Sequence, residues 1–197
     1  MKLPNVTLIA LTSKDFEGHK KALDYSSRGI EFGDKKIIWD ESIPNIDIWN
    51  YKIIYELPSY VKTDYCILIH ADGYIINPEL WSASWLDYDY IGAPWPLPKD
   101  DFSYRDEVGG LVRVGNSVSL RSKRLMEAVA ESPKEYFWSF KDKYGNTNED
   151  GFICCHNSER LRRLGLKIAP LEVAKYFSKE HEIEENKDIK TFAFHSL

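Results

Sequence analysis

The chain has 197 residues, of which 43% are hydrophobic and 29% charged, and its formal net charge is −5. That length suits one domain with a real core, while an acidic balance without a long basic run argues against a nucleic-acid partner. No stretch approaches the roughly 18 consecutive apolar residues of a membrane span, and the N-terminal apolar run, flanked by Pro4 and Lys14, is too short for a signal peptide.

Residues 6–12, VTLIALT, form an apolar, β-branched run that predicts a central strand. Ser13 and Asp15 can cap a helix over 16–28, where Phe16, Lys20, Leu23 and Ser27 fall at helical spacing. KKIIWD (35–40) predicts the second strand, so the strand–helix–strand order implies a right-handed parallel crossover. Residues 47–60 read as a helix ended by Pro58, and DYCILIHADG (64–73) as the third strand. A short helix over 79–86 leads to a strand over 87–96 that runs into an aromatic-proline loop. Residues 97–110 are polar and acidic and read as a mobile loop. VRVGNSVSLRS (112–122) reads as a strand and turn, 122–131 as a helix, and 134–147 as a polar, aromatic stretch with a Gly-Asn turn. Acids in its first turn and Gly165 at its stop predict a helix over 149–165. KIAPLEVAKYFS (167–178) reads as a strand with a subsequent turn, and TFAFHSL ends the chain. With no repeat, low-complexity segment or linker, the expectation is one α/β domain over 1–197, its mostly parallel central sheet flanked by helices.

In such sheets ligands gather at the carboxyl ends of the strands, and Thr12, Asp40 and Asp72 lie at three such ends. Residues i and i+2 of a strand share a face, so His70 and Asp72 project together, with Gly73 admitting a close ligand. A carboxylate there suits a hard divalent cation carrying phosphate oxygens; the alternative is a local pair, with Asp72 capping a turn and His70 bonded in the core. Glu149 and Asp150 either supply a general base facing a cleft or simply favour a helix start. His195 and His156 read as structural or solvent-facing on their own, Arg160, Arg162 and Arg163 as a solvated face, and Gly115-Asn116 as a turn. Trp95 and Tyr90 read as ordinary packing or, by the family resemblance named next, as an apolar platform for a sugar ring. The three cysteines, Cys66, Cys154 and Cys155, show no CxxC spacing, which argues against zinc or a disulfide framework and for a reducing, cytoplasmic setting.

Together these pieces resemble the GT-A class of nucleotide-sugar-dependent glycosyltransferases. The strand leading into His70-Ala71-Asp72 looks like that class's DxD segment with a histidine in place of the first acid. VGNSVSLRS (114–122) is similar to its glycine-containing loop, Glu149-Asp150 to its xED motif, and the terminal FAFH to the place of a metal-binding histidine. More closely, TDYCILIHADGYIINPELW, YDYIGAPWP, SLRS, EDGFIC and TFAFH resemble an uncharacterised, mainly bacterial glycosyltransferase-like domain family, over residues 5–196. The glycine loop here is one residue shorter than that family's GNGGFSLRS, which touches acceptor specificity. The resemblance implies a GT-A-like, Rossmann-like fold and a hexosyl or deoxyhexosyl transferase. Its partners would be a nucleotide-sugar donor, with UDP first among the nucleotides, and a glycan or polysaccharide acceptor. It implies Mn²⁺ or Mg²⁺ held by Asp72 and His195, and donor contacts from Thr12, Asp40, His70, Ala71, Asp72 and Asn116. Asp150, with Glu149 beside it, is then the base of an inverting displacement. A second reading is a catalytically inactive nucleotide-sugar or glycan-binding domain. A third, a nucleotidyltransferase, lacks the basic glycine-rich loop it needs after the first strand.

Overall fold

The computed structural model describes residues 1–115, 118–142 and 144–196. In chain order the strands are β1 (Lys2–Thr12), β2 (Glu31–Trp39), β3 (Tyr65–Leu68), β4 (Gly73–Ile75), β5 (Tyr90–Ile91), β6 (Ser119–Ser122), β7 (Ser178–Lys179) and β8 (Ala193–His195). The α-helices are α1 (Phe16–Ser26), α2 (Ile46–Tyr55), α3 (Leu57–Tyr60), α4 (Lys123–Ala130), α5 (Lys134–Trp138), α6 (Glu149–Gly151), α7 (Ser158–Arg163) and α8 (Leu171–Phe177).

β1 is apolar on both faces because both faces are covered. Leu8 and Ala10 join one core with Ile67, Leu120, Trp85, Phe177 and Phe192. Ile9 and Leu11 alternate to the other side, against Ile53, Leu57, Val61, Leu68 and Met126. A third core joins Tyr90, Trp95, Leu125, Phe137, Phe152 and Leu161. Each fully buried Leu, Ile or Phe contributes about 1.5–3 kcal/mol through the water it leaves.

The main sheet has five strands in the order β2-β1-β3-β6-β5. β1 pairs in parallel with β2 and β3, as the crossover reading expects. β3–β6 and β6–β5 are antiparallel, so the sheet is mixed rather than mostly parallel. The long connection from β5 brings SLRS back into the sheet in the opposite direction. A second sheet of three strands, β4-β8-β7, was not legible in the sequence; β8 pairs antiparallel with β4 and parallel with β7.

Four local expectations are corrected. β3 ends at Leu68, and His70 exchanges backbone hydrogen bonds with Gly73 at 2.7 and 3.3 Å, so Ala71-Asp72 is the tip of a tight turn rather than a strand end. Residues 171–177 form helix α8, not a strand: Pro170 sets its start, and Ala174 and Phe177 go inward at i, i+3. The 149–165 helix is interrupted by a π turn at Phe152–His156, which buries Phe152, Ile153, Cys154 and Cys155 in succession, a run that one face of a regular helix cannot hide. Of the 87–96 strand only Tyr90–Ile91 forms, ahead of Pro94 and Pro96.

β2 also starts earlier than its apolar residues indicate. It is an edge strand whose Glu31 and Lys35, on one face, stay exposed, which discourages pairing with another chain. Its register with β1 shifts between Leu3 and Thr7. There the Pro4 carbonyl oxygen would stand 1.9 Å from a Cβ placed on Gly33. Replacing Gly33 with Ala is therefore expected to destabilise the protein by about 1–3 kcal/mol through forced backbone movement, read as a lower urea midpoint with an unchanged slope.

Candidate donor-binding cleft

A cleft of about 550 Å³ opens beyond the carboxyl end of β1. Thr12, Ser13 and Lys14 form its floor, and Trp49 and Asn50 on α2 form one wall. His70, Asn148, Glu149, Asp150 and His195 complete the lining, with His70 beside Trp49 and Glu149 beside Asn50. Asn45 starts α2 by accepting the Ile48 N–H at 3.0 Å, and the Trp49 indole N–H is fixed on the Leu11 carbonyl at 2.7 Å. The Thr12 hydroxyl accepts the Lys14 N–H at 3.0 Å, bending the chain across the strand end.

The small sheet assembles the polar side. His195 lies on the central strand β8, opposite Gly73 of β4. Asp72 precedes β4 and Glu180 comes just after β7, so the ring of His195 sits between two carboxylates. His195 Nε2 is 3.4 Å from Asp72 Oδ1, and Nδ1 is 3.3 Å from Glu180 Oε2. The side chain of Asp72 is 65% exposed, whereas His195 and Glu180 are 20% and 16% exposed. Burial works against a charge on His195, but the Glu180 and Asp72 carboxylates outweigh it and hold the imidazole above its ordinary pKa. The ring of His70 stands 5.2 Å from that of His195 and 5.4 Å from that of Trp49.

Glu149 and Asp150 are neighbours with different surroundings. Glu149 is buried and receives Arg121 Nη2 at 2.7 Å, with Arg121 only 1% exposed. Burial opposes the guanidinium charge, and the Glu149 carboxylate more than offsets it. Arg121 Nε also donates to Ser119 at 2.9 Å, and the Glu149 N–H donates to Asn50 Oδ1 at 3.3 Å. Asp150 is half-buried on the cleft wall, where its Oδ1 accepts the Gly151 N–H at 2.7 Å. Asp150 thus stands half-buried at the cleft, while the Glu149 carboxylate is paired within the core.

The structure brings together Thr12, His70, Glu149, Asp150 and His195 around the cleft, with Asp72 beside His195 at the rim. Asp40 does not line it: Lys52 binds its carboxylate at 2.7 Å, and the Ser42 hydroxyl and N–H donate at 2.6 and 2.9 Å. Ala71 occupies the turn tip, and Asn116 lies outside the described residues. Tyr90 and Trp95 are core residues, with Trp95 stacked on Tyr104 at 4.7 Å, so neither is a sugar platform. His156 is half-buried and stacked 3.7 Å from Phe140 rather than solvent-facing. The sequence reading passed over Trp49, Asn50, Arg121 and Glu180. Asn50 sits among helix apolars, and Glu180 within the charged run SKEHEIEEN, where pattern gives no sign of inward direction.

A divalent cation is the group the resemblance implies, and the donors at the rim fit one. Asp72 Oδ1 and His195 Nε2 are 3.4 Å apart, close to the roughly 3 Å between neighbouring ligands of a six-coordinate ion. Among the described residues no three His, Cys, Asp or Glu side chains group to hold an ion by themselves. Glu180 faces the far nitrogen of the ring and so cannot share an ion with Asp72. A cation at this rim would take its remaining ligands from a bound substrate or water.

Gly73 decides whether His195 keeps its seat, since an added Cβ would lie 2.5 Å from His195 Cδ2. Gly73→Ala is expected to leave the fold cooperative in thermal melting but to abolish any stabilisation by Mn²⁺ plus nucleotide. Asp40 gives a pH test. Lys52 first, then Ser42, lower its carboxyl to about 2 from the model-compound value of 3.8. A depressed folded pKa supplies stability above the unfolded value that is lost as pH falls through the folded one. Wild type should therefore lose stability between about pH 4 and 2 more steeply than Asp40→Asn, measured by urea unfolding along that series.

Comparison with solved structures places the fold. A glycosyltransferase involved in the glycosylation of the major capsid of PBCV-1 superposes with a TM-score of 0.56 at 11% identity, over 96% of this chain and 91% of that one. A197 from STIV matches at a TM-score of 0.40 and 11% identity, over 76% and 75% of the two chains. No curated protein matches the sequence. The chain thus has a mixed α/β, glycosyltransferase-like fold with a central sheet flanked by helices. The profile described as "Protein of unknown function (DUF5672)" matches residues 52–195, and the chain belongs to that family.

Proposed function

We propose that this protein is a metal-dependent glycosyltransferase that moves a sugar from a nucleotide-sugar, a UDP-sugar first, to a glycan hydroxyl. One observation carries the reading: Asp72 and His195, far apart in sequence, meet at the rim of a cleft over the β1 end that Asp150 also lines. The likeness of the fold to a glycosyltransferase supports it. Free, buried cysteines and the lack of any membrane-length apolar helix among the described residues accord with a cytoplasmic setting as part of the same proposal.

The chemistry stems from the residues. A diphosphate leaving group carries dense negative charge, and this chain is acidic. Asp72 and His195 Nε2 would hold Mn²⁺ or Mg²⁺, which when bound neutralises the departing diphosphate. Imidazole ligation favours Mn²⁺ over Mg²⁺. Lys14 and the backbone beyond Thr12 also line the cleft and can receive phosphate oxygens. Trp49 and Ile43 supply apolar wall for a base or sugar ring. Asp150 takes the proton from the acceptor hydroxyl as its oxygen attacks the anomeric carbon, giving inversion in one displacement. Glu149, held by Arg121, fixes the helix start from which Asp150 projects.

The test is a screen of UDP-, GDP- and dTDP-sugars by thermal shift and donor hydrolysis, with and without Mn²⁺. One donor should raise the melting temperature only with Mn²⁺, and Asp72→Ala should remove the rise. Asp150→Asn should keep that rise while turnover falls about 10²–10⁴-fold. Binding without hydrolysis would instead identify a nucleotide-sugar-binding domain. No metal-dependent binding of any donor would overturn the proposal.

The buried pair carries its own expectation. Glu149→Leu leaves Arg121 charged and unpaired in the core, a change that costs about 3–5 kcal/mol in other buried pairs. A far smaller loss in urea unfolding would show that water reaches Arg121.

A further inference from the structure

Glu180 lies outside the cleft, yet its position bears on what His195 can bind. It comes directly after β7, whose parallel register with β8 pairs Lys179 with Phe194, so Glu180 comes level with His195. Its carboxylate is 3.3 Å from Nδ1, a buried nitrogen with no aligned hydrogen bond, so Glu180 is the acceptor within its reach, while Asp72 stands on the Nε2 side. The two carboxylates differ in hydration, at 16% and 65% exposed. A neutral imidazole carries one N–H, and it settles on the nitrogen whose acceptor is less well served by water. That nitrogen is Nδ1, which leaves the lone pair of Nε2 directed to Asp72 and the rim.

We propose that Glu180 is a positioning residue for the metal site: it holds the His195 proton on Nδ1 and fixes the ring, so that Nε2 is the bare nitrogen beside Asp72. The inference rests on the donor-site reading of the cleft, and it assigns a role to a residue that would touch neither metal nor donor. Carboxylate partners of this kind orient ligating histidines and raise their basicity. The topology supplies a reason for the small sheet itself, since β4, β8 and β7 each place one member of the Asp72–His195–Glu180 row. The charged neighbours Lys179 and Glu182 pair with each other at 3.2 Å, so the surrounding run does not compete for His195.

The test uses the whole chain. Nitrogen-15 NMR of the metal-free wild type, at alkaline pH where the ring is neutral, reads the tautomer directly. Mn²⁺ affinity in the presence of UDP, GDP or dTDP, by electron paramagnetic resonance, reads the consequence. The expected results are a proton on Nδ1 in wild type and a roughly 10–100-fold weaker Mn²⁺ affinity in Glu180→Leu. Glu180→Gln, whose amide oxygen still accepts from Nδ1–H, should stay within about threefold of wild type. A wild-type proton on Nε2 overturns the proposal without any variant. So does Glu180→Leu that melts like wild type and binds Mn²⁺ equally well. If wild type takes up no Mn²⁺ with any of the three nucleotides, the donor-site reading falls and the metal role of Glu180 with it. A tautomer result against Glu180 alongside normal Mn²⁺ uptake removes only this inference.

Discussion

The site depends on one constraint: the imidazole of His195 is clasped between two carboxylates on the middle strand of a small sheet. Gly73 leaves no side chain where the ring must lie. The turn at Ala71-Asp72 brings one carboxylate to one side, and the end of β7 brings the other. Ser196 N–H donates to the Asp72 carbonyl at 2.8 Å, so the backbones of the two segments are tied as well as their side chains. The β4–β8 ladder fixes His195 directly, while Asp72 is held beside it by the turn that leads into β4.

The Glu149–Asp150 part of the cleft is organised by a buried ion pair. Arg121, at the centre of the antiparallel half of the main sheet, fastens Glu149 and so the start of α6. Adjacent acids thereby acquire different surroundings. Glu149 is an internal counter-charge whose loss would strand a guanidinium, and Asp150 is left on the wall. The two acids differ in surroundings because β6 carries an arginine that reaches Glu149 and not Asp150.

Much of the main sheet was legible because it rests on local pattern. VTLIALT is apolar on both faces, and only a doubly covered strand accounts for that. The positions of His70, Asp72, Asp150 and His195 as candidates were legible through the order of short motifs. Less visible were features that depend on pairing between distant segments. The three-stranded sheet joins residues near 74, 178 and 194 through very short strands, and such strands carry almost no periodicity. Glu180 sits in a run of charges whose inward member is chosen only by register. The π turn over 152–156 replaces a regular helix because four successive side chains are buried there. Asp40 obeyed the same logic in reverse: its strand-end position pointed to a ligand, but Lys52 on α2 had already engaged it.

The proposed donor site is decided most directly by where a metal goes. Crystals of the protein soaked with MnCl₂ and a nucleoside diphosphate, measured at the manganese absorption edge, would locate it. The expected result is one anomalous peak bridging Asp72 and His195 Nε2, with the diphosphate extending into the cleft toward Lys14. A peak elsewhere, or nucleotide bound in the cleft with no manganese at the rim, would contradict the account and return the Asp72–His195 contact to a structural ion pair.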